Sequence, residues 1–192
     1  MKKDNSNYIF KLVSIESIDV DDQLTSFSLS IPKDSLQQSI QEVGIIHPIT
    51  LAPLGNLFQT VCGHSRIKIA SQLKINLIPA RILDSAPSKE SMLMLNLSEN
   101  QFHHNYSDIE KGFILSKLSM VNVPEIRIIE KYMPMLGLEK SKKLLDDYLS
   151  TNKLTTGLKT LLHEMNIPLR VFSVFFNWSD ESTEAAEHFF SA

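Results

Sequence analysis

The pattern of apolar and polar positions changes character close to residue 105. Ahead of that point short apolar runs alternate with helix-like stretches; beyond it apolar residues recur every three or four positions. Tyr8-Ile-Phe-Lys-Leu-Val13 reads as a strand, followed by a polar loop carrying Asp19, Asp21 and Asp22. Leu36, Ile40 and Val43 fall on one face of a helix that starts near Pro32, and Gly44 stands where a left-handed cap is wanted. His47-Pro-Ile-Thr-Leu-Ala52 and Leu57-Phe-Gln-Thr-Val-Cys62 predict two strands joined by a turn at Pro53-Leu-Gly-Asn56. A second helix follows Gly63 with Ile67, Ala70 and Leu73 inward, and Leu77-Ile-Pro-Ala-Arg-Ile-Leu83 returns as a strand.

From Ser88 the helical period takes over. One helix runs to about Phe102, and Ser107-Asp-Ile-Glu110 is a capping box that opens the next, with Ile109, Phe113 and Leu118 inward. Pro124 suits the first turn of a third, whose Ile128, Ile129, Tyr132 and Met133 face inward before Gly137 ends it. Further helices are expected at 141–149, 154–164 and 168–177, and Ser179 caps a last one that ends in Phe189 and Phe190. The stripe Leu158, Leu161, Leu162, Val171, Phe172, Val174, Phe175, Phe176 and Trp178 reads as helical core, or in part as a dimer surface. The spacing predicts an α/β domain over 8–105 and an all-helical domain over 106–192, with the boundary near 103–107 and no long linker.

Composition narrows the function classes. The chain has 192 residues, 43% of them apolar, and a net charge of −3. A single cysteine, Cys62, excludes an intramolecular disulfide and a multi-cysteine zinc site, and fits a reducing cytoplasm. No stretch approaches the ~20 apolar residues that span a bilayer, so neither a membrane nor secretion is expected. Residues 1–105 carry 9 Lys and Arg against 10 Asp and Glu, and residues 106–192 carry 10 against 12. Neither half is basic, which argues against nonspecific coating of nucleic acid. The densest basic cluster is Lys140, Lys142 and Lys143, at the start of the second of two helices joined at Met135-Leu-Gly-Leu138. Three lysines at a helix start suit a solvated face.

Two segments carry candidate chemistry. In Val61-Cys-Gly-His-Ser-Arg-Ile-Lys-Ile-Ala70 a strand ends at Gly63 and turns directly into a helix. Glycine lets backbone approach a ligand, free N–H groups at the helix start attract an anion, and Arg66 adds a planar fork of donors. Taken alone this is also an ordinary strand-to-helix connection. In Leu97-Ser-Glu-Asn-Gln-Phe-His-His104, Glu99 and Asn100 offer the hard oxygens that Mg²⁺ accepts beside phosphates, or simply form a polar helix end. His103 and His104 make a poor metal pair, since adjacent helical residues point apart and no third ligand is evident. Cys62 reads as a small buried apolar residue rather than a nucleophile.

The ordered set Leu36-x-x-Ser-Ile40, Gly44-x-x-x-Pro48-Ile49, Gly63-x-x-Arg66-x-x-x-Ala70, Ile78-Pro79, Glu99-Asn100 and Ile109-Glu110 resembles the N-terminal domain of ParB-type partition proteins over roughly residues 8–120. The resemblance implies a ParB/sulfiredoxin-like α/β domain followed by an all-α helix-turn-helix-like domain, in which residues 124–149 supply the two helices and Lys140, Lys142 and Lys143 stand where a recognition helix meets DNA phosphates and bases. It implies a nucleoside triphosphate as ligand, CTP in the partition proteins, with Mg²⁺. Phosphate-binding residues carried over are Gly63, His64, Ser65, Arg66, Glu99 and Asn100, with Glu99 and Asn100 also on the metal. His64 and Ser65 depart from the family's Glu and first Arg, and His103 stands where its Glu-Asn-x-x-Arg box has Arg. His47 stands where many members carry Gln, and Gln23-Leu-Thr-Ser-Phe27 lacks an arginine often found there. The sulfiredoxin cysteine would fall at His64, so a redox activity is not expected. The implied function is a nucleotide-responsive DNA-binding protein of bacterial plasmid or chromosome partition or of gene regulation, a dimer, with slow triphosphate hydrolysis at most. The nucleotide would bias how the helical domain packs. The alternatives are a ParB-like nuclease or nucleotide-dependent phosphotransferase, and an adaptor that has lost the nucleotide.

Overall fold

The computed structural model describes residues 8–29, 34–100, 105–173 and 185. Contacts divide the chain into two compact units, Met1–Ser26 with Ile31–Asn100, and Phe27–Ser30 with Gln101–Ala192. The division thus falls at 100/101, where the apolar pattern suggested 105/106, and an early stretch of chain is counted in the second unit.

The first unit is built on a five-stranded sheet of β1 (Tyr8–Ser14), β2 (Ile18–Asp19), β3 (Ile49–Leu54), β4 (Leu57–Cys62) and β5 (Leu77–Leu83), in the order β1-β5-β3-β4-β2. β1 lies antiparallel to β5 and β3 antiparallel to β4, whereas β3 runs parallel to β5 and β2 parallel to β4. A helix carries the chain from β4 past β3 to β5, and this crossover lets β5 pair with β3 in parallel. Helices α1 (Asp34–Val43), α2 (His64–Gln72) and α3 (Lys89–Asn100) complete the unit. Alternation in the strands sorts the core into two faces. Ile49, Leu51, Ile78, Ala80 and Ile82 pack with Ile67 and Ala70 of α2; Ala52, Val61, Cys62 and Leu83 pack with Met92 of α3.

Three expectations are corrected in detail. The hairpin turn is only Gly55 and Asn56, because β3 carries on through Pro53 to Leu54. Val43 is exposed rather than inward, since it is the last residue of α1 and only Ile40 of that helix is fully buried. Leu73 caps α2 and is half-buried, while Ile69 takes a core place.

The second unit is helical: α4 (Asp108–Met120), α5 (Glu125–Arg127), α6 (Met133–Met135), α7 (Lys142–Leu149), α8 (Thr156–Glu164) and α9 (Leu169–Phe172). Ser107 and Glu110 form the expected capping box of α4. Pro124 caps α5 from just outside instead of entering its first turn. Between α5 and α6 the wider π winding of Ile128–Tyr132 keeps the backbone helical, so 125–135 is one continuous helical stretch. Ile128, Tyr132 and Met133 are buried as predicted, as are Leu158, Leu162 and Phe172; Val171 is exposed. His103, His104, Val174, Phe175, Phe176, Trp178 and the helix expected after Ser179 lie outside the described residues. No described helix is long and apolar enough to cross a membrane.

Candidate anion site

At the end of β4 the chain must reverse into α2 within one residue. Gly63 does this with φ 103°, a region that other residues rarely enter. A Cβ at Gly63 would stand 2.7 Å from Ile49 Cγ2 and 3.3 Å from Arg66 Cζ, so glycine is needed for space as well as conformation. The first helical hydrogen bond of α2 runs from Ile67 N–H to Gly63 O, and the N–H groups of His64, Ser65 and Arg66 precede it. His64 Nε2 lies 3.5 Å from Thr25 Oγ1, which donates to Thr60 O at 2.7 Å. Ser65 is exposed.

Arg66 ties three places together. Its Nη1 donates to His47 O at 2.6 Å and Pro48 O at 3.0 Å, and its Nη2 donates to Glu99 Oε1 at 3.5 Å. Glu99 comes from the last turn of α3, so the two predicted motifs do converge. Sequence reasoning missed Arg81, whose Nη2 pairs with Glu99 Oε2 and whose Nε donates to Thr50 Oγ1 at 2.6 Å. Thr50 and Arg81 are directly paired across the parallel β3–β5 register. The available signal was an arginine in the middle of an otherwise apolar strand, Leu77-Ile-Pro-Ala-Arg-Ile-Leu83. Arg81 also lies over the Tyr8 ring, 5.4 Å from its centroid.

Asn100 turns away from this cluster. Its Nδ2 donates to Asn96 O at 3.0 Å and Asn96 Oδ1 at 2.8 Å, and the buried Asn96 in turn donates to Val61 O at 2.6 Å. These bonds fasten the end of α3 to β4. Both oxygens of Glu99 face guanidinium groups, while the Nδ2 of Asn100 is held by Asn96. The donor set fits an anion. Cys62 is buried beside Glu99; burial first, and the carboxylate second, push its thiol well above the ordinary range, so it is a neutral core group.

The predicted basic cluster is assembled but partly neutralised. Lys140 Nζ pairs with Glu130 at 2.6 Å, and Lys142 Nζ with Glu125 at 2.7 Å and Asp146 at 2.6 Å. Hydrogen bonds to Asp146 and Glu125 push Lys142 above its ordinary value. Lys143 is exposed and, among the described residues, pairs with no carboxylate.

A family model described as the ParB N-terminal domain matches residues 3–101. A probable plasmid-partitioning protein ParB of Thermus thermophilus is 26% identical over 110 residues, 57% of this chain and 36% of that protein. A probable chromosome-partitioning protein ParB of Coxiella burnetii is 27% identical over 141 residues, 71% of this chain and 46% of that protein. The chain therefore spans less than half the length of these relatives. Among solved structures, a Pnob8-like ParB-N domain aligns over 88% of this chain and 80% of its own, with a TM-score of 0.54 at 16% identity.

Proposed function

The chain belongs to the ParB N-terminal domain family, and on that premise we propose that it is a nucleotide-responsive DNA-binding protein of the partition or gene-regulation kind. The nucleotide's phosphates are received at the β4–α2 junction by the N–H groups of His64, Ser65 and Arg66 and by the Arg66 guanidinium. DNA is met by the start of α7, with Lys143 and the neighbouring Lys140 and Lys142. The observation that carries the reading is the convergence at Gly63, where backbone bare of a side chain, a helix start and a guanidinium meet. Glu99 holds that guanidinium when no phosphate competes for it. A phosphate entering at Arg66 competes with Glu99 for the Nη2 donors.

The test is thermal stabilisation by CTP, ATP, GTP and UTP, each with and without Mg²⁺. A ligand at 100 times its Kd stabilises the folded state by ~2.7 kcal/mol, which a melting curve resolves easily. Stabilisation by at least one triphosphate, lost in Arg66→Ala, is the expected result. The Arg66→Ala protein will itself melt lower, because the bonds to His47 O and Pro48 O go with the side chain; the readout is the shift on adding nucleotide. No shift with any of the four at millimolar concentration overturns the reading in favour of an adaptor that retains only the fold.

A further inference from the structure

Glu99 has two oxygens, and a guanidinium is aimed at each: Arg66 at Oε1 and Arg81 at Oε2. One carboxylate against two permanently charged arginines leaves one positive charge over, and the neighbouring Cys62 is neutral. Stability does not account for the second arginine. The side chains of Arg66, Arg81 and Glu99 are 19%, 34% and 29% exposed, so solvent screens the pairing and the charge of a second arginine adds little to it. The way both arginines are held is informative. In each, one nitrogen anchors the group to protein, Arg66 Nη1 to two backbone carbonyls and Arg81 Nε to Thr50 Oγ1, so that Nη2 is the nitrogen presented to Glu99. The Tyr8 ring supports the plane of Arg81 from the side. Two forks fixed in this way lose little side-chain freedom when a ligand arrives.

We propose that Arg81 is the second phosphate-binding guanidinium of the site, so that Arg66 and Arg81 together grip two neighbouring phosphates of a nucleotide, with Glu99 keeping the pair in register until the ligand exchanges for it. The proposal rests on the reading that the β4–α2 junction takes a nucleotide's phosphates. It names a grip on the polyphosphate chain that is independent of the base.

The experiment measures calorimetric binding of CTP and of inorganic tripolyphosphate to the full chain and to Arg81→Gln, Arg81→Lys and the double variant Arg81→Gln/Ser65→Arg. Arg81→Gln keeps a donor for Thr50 and removes the charge; it should weaken both ligands at least tenfold. Arg81→Lys, a point charge without a fork, should weaken both at least threefold and stands in if the glutamine variant does not fold. Ser65→Arg places a guanidinium on the exposed first turn of α2, beside Arg66, and should recover at least half of the lost binding free energy on a logarithmic scale. A merely structural Arg81 would not be rescued from there. Wild-type affinity for tripolyphosphate in a folded Arg81→Gln or Arg81→Lys variant overturns the proposal, as does failure of Ser65→Arg to restore any binding. If wild-type protein neither binds tripolyphosphate nor, in the melting assay above, responds to any of the four triphosphates, the underlying reading has failed instead, and the wild-type measurements alone tell the two apart.

Discussion

Gly63 and Gly44 both have positive φ, 103° and 76°, yet substitution should cost them different amounts. Nothing lies within 4 Å of a Cβ built at Gly44, so Gly44→Ala meets only the left-handed penalty of about 1–2 kcal/mol. At Gly63 the Ile49 side chain must also move, and overpacking adds roughly 1–3 kcal/mol. Urea midpoints of the two alanine variants should therefore rank Gly63→Ala well below Gly44→Ala; equal midpoints would mean that β3 yields freely and that the junction is not tightly built. Cys62 makes a second prediction. Thiolate is the reactive form, and burial beside Glu99 raises the thiol, so labelling by a thiol reagent at pH 8 should be far slower than for a model thiol and should track unfolding as urea is added. Rapid labelling of the folded protein would refute the neutral, buried assignment. At this scale Gly63, Arg66 and Glu99 were legible because each belongs to a short local motif. Arg81, Thr50 and Asn96 were not, because what matters about them is a meeting across strand register or between β4 and α3, and no local spacing encodes it.

Among the elements, α4 shows how a helix start organises its neighbours. Asp108 Oδ1 accepts from Tyr148 of α7 at 2.9 Å and Lys111 at 3.1 Å, while Oδ2 accepts from Leu169 N–H of α9 at 2.8 Å. Burial opposes ionisation of Asp108, but these hydrogen bonds outweigh it and hold the carboxyl below its ordinary value of 3.8. A depressed carboxyl stabilises the fold fully above its unfolded value and loses that contribution as pH falls through the folded one. Urea stability measured downward from roughly pH 5 should fall less steeply in Asp108→Asn than in wild type, from a lower starting point. The same helix carries Gly112, where a Cβ would collide with Thr151 Oγ1 and lie 3.0 Å from Tyr148 O. Alanine gains about 1 kcal/mol of helix propensity over glycine, against an overpacking cost of roughly 1–3 kcal/mol. Gly112→Ala should therefore lower the melting temperature, and a rise would show that the segment after α7 gives way. The capping box at Ser107 and the periodic buried residues were readable because caps and helical faces are local. The ends of α4 and α8 are followed by Asn122 and Asn166 at φ 61° and 50°, residues that tolerate this conformation less openly than glycine. The π winding at Ile128–Tyr132 was also hidden, since the same apolar spacing suits an ordinary helix.

For the whole molecule, the weak acidity of both halves makes the proposed DNA contact a matter of local arrangement. Acids of the same unit already engage Lys140 and Lys142, so on duplex DNA Lys143→Ala should lower the salt slope by ~0.9, one phosphate contact, and by more than either Lys140→Ala or Lys142→Ala. An unchanged slope in Lys143→Ala would take the DNA surface away from α7. The early stretch Phe27–Ser30 matters at this scale too. Its Leu29 N–H donates to Glu110 Oε1 at 3.1 Å, and its Phe27 ring, 5% exposed, meets Tyr106 edge-on at 6.3 Å with Lys117 over its face. A fragment starting at residue 106 would lose both the donor to Glu110 and the plug that Phe27 provides. Seen as heredity, the helical part is therefore not a cassette: a single crossover near residue 105 would join it to a foreign Phe27 and Leu29, so these two residues have to be inherited with the helices they serve although nearly eighty codons separate them from α4.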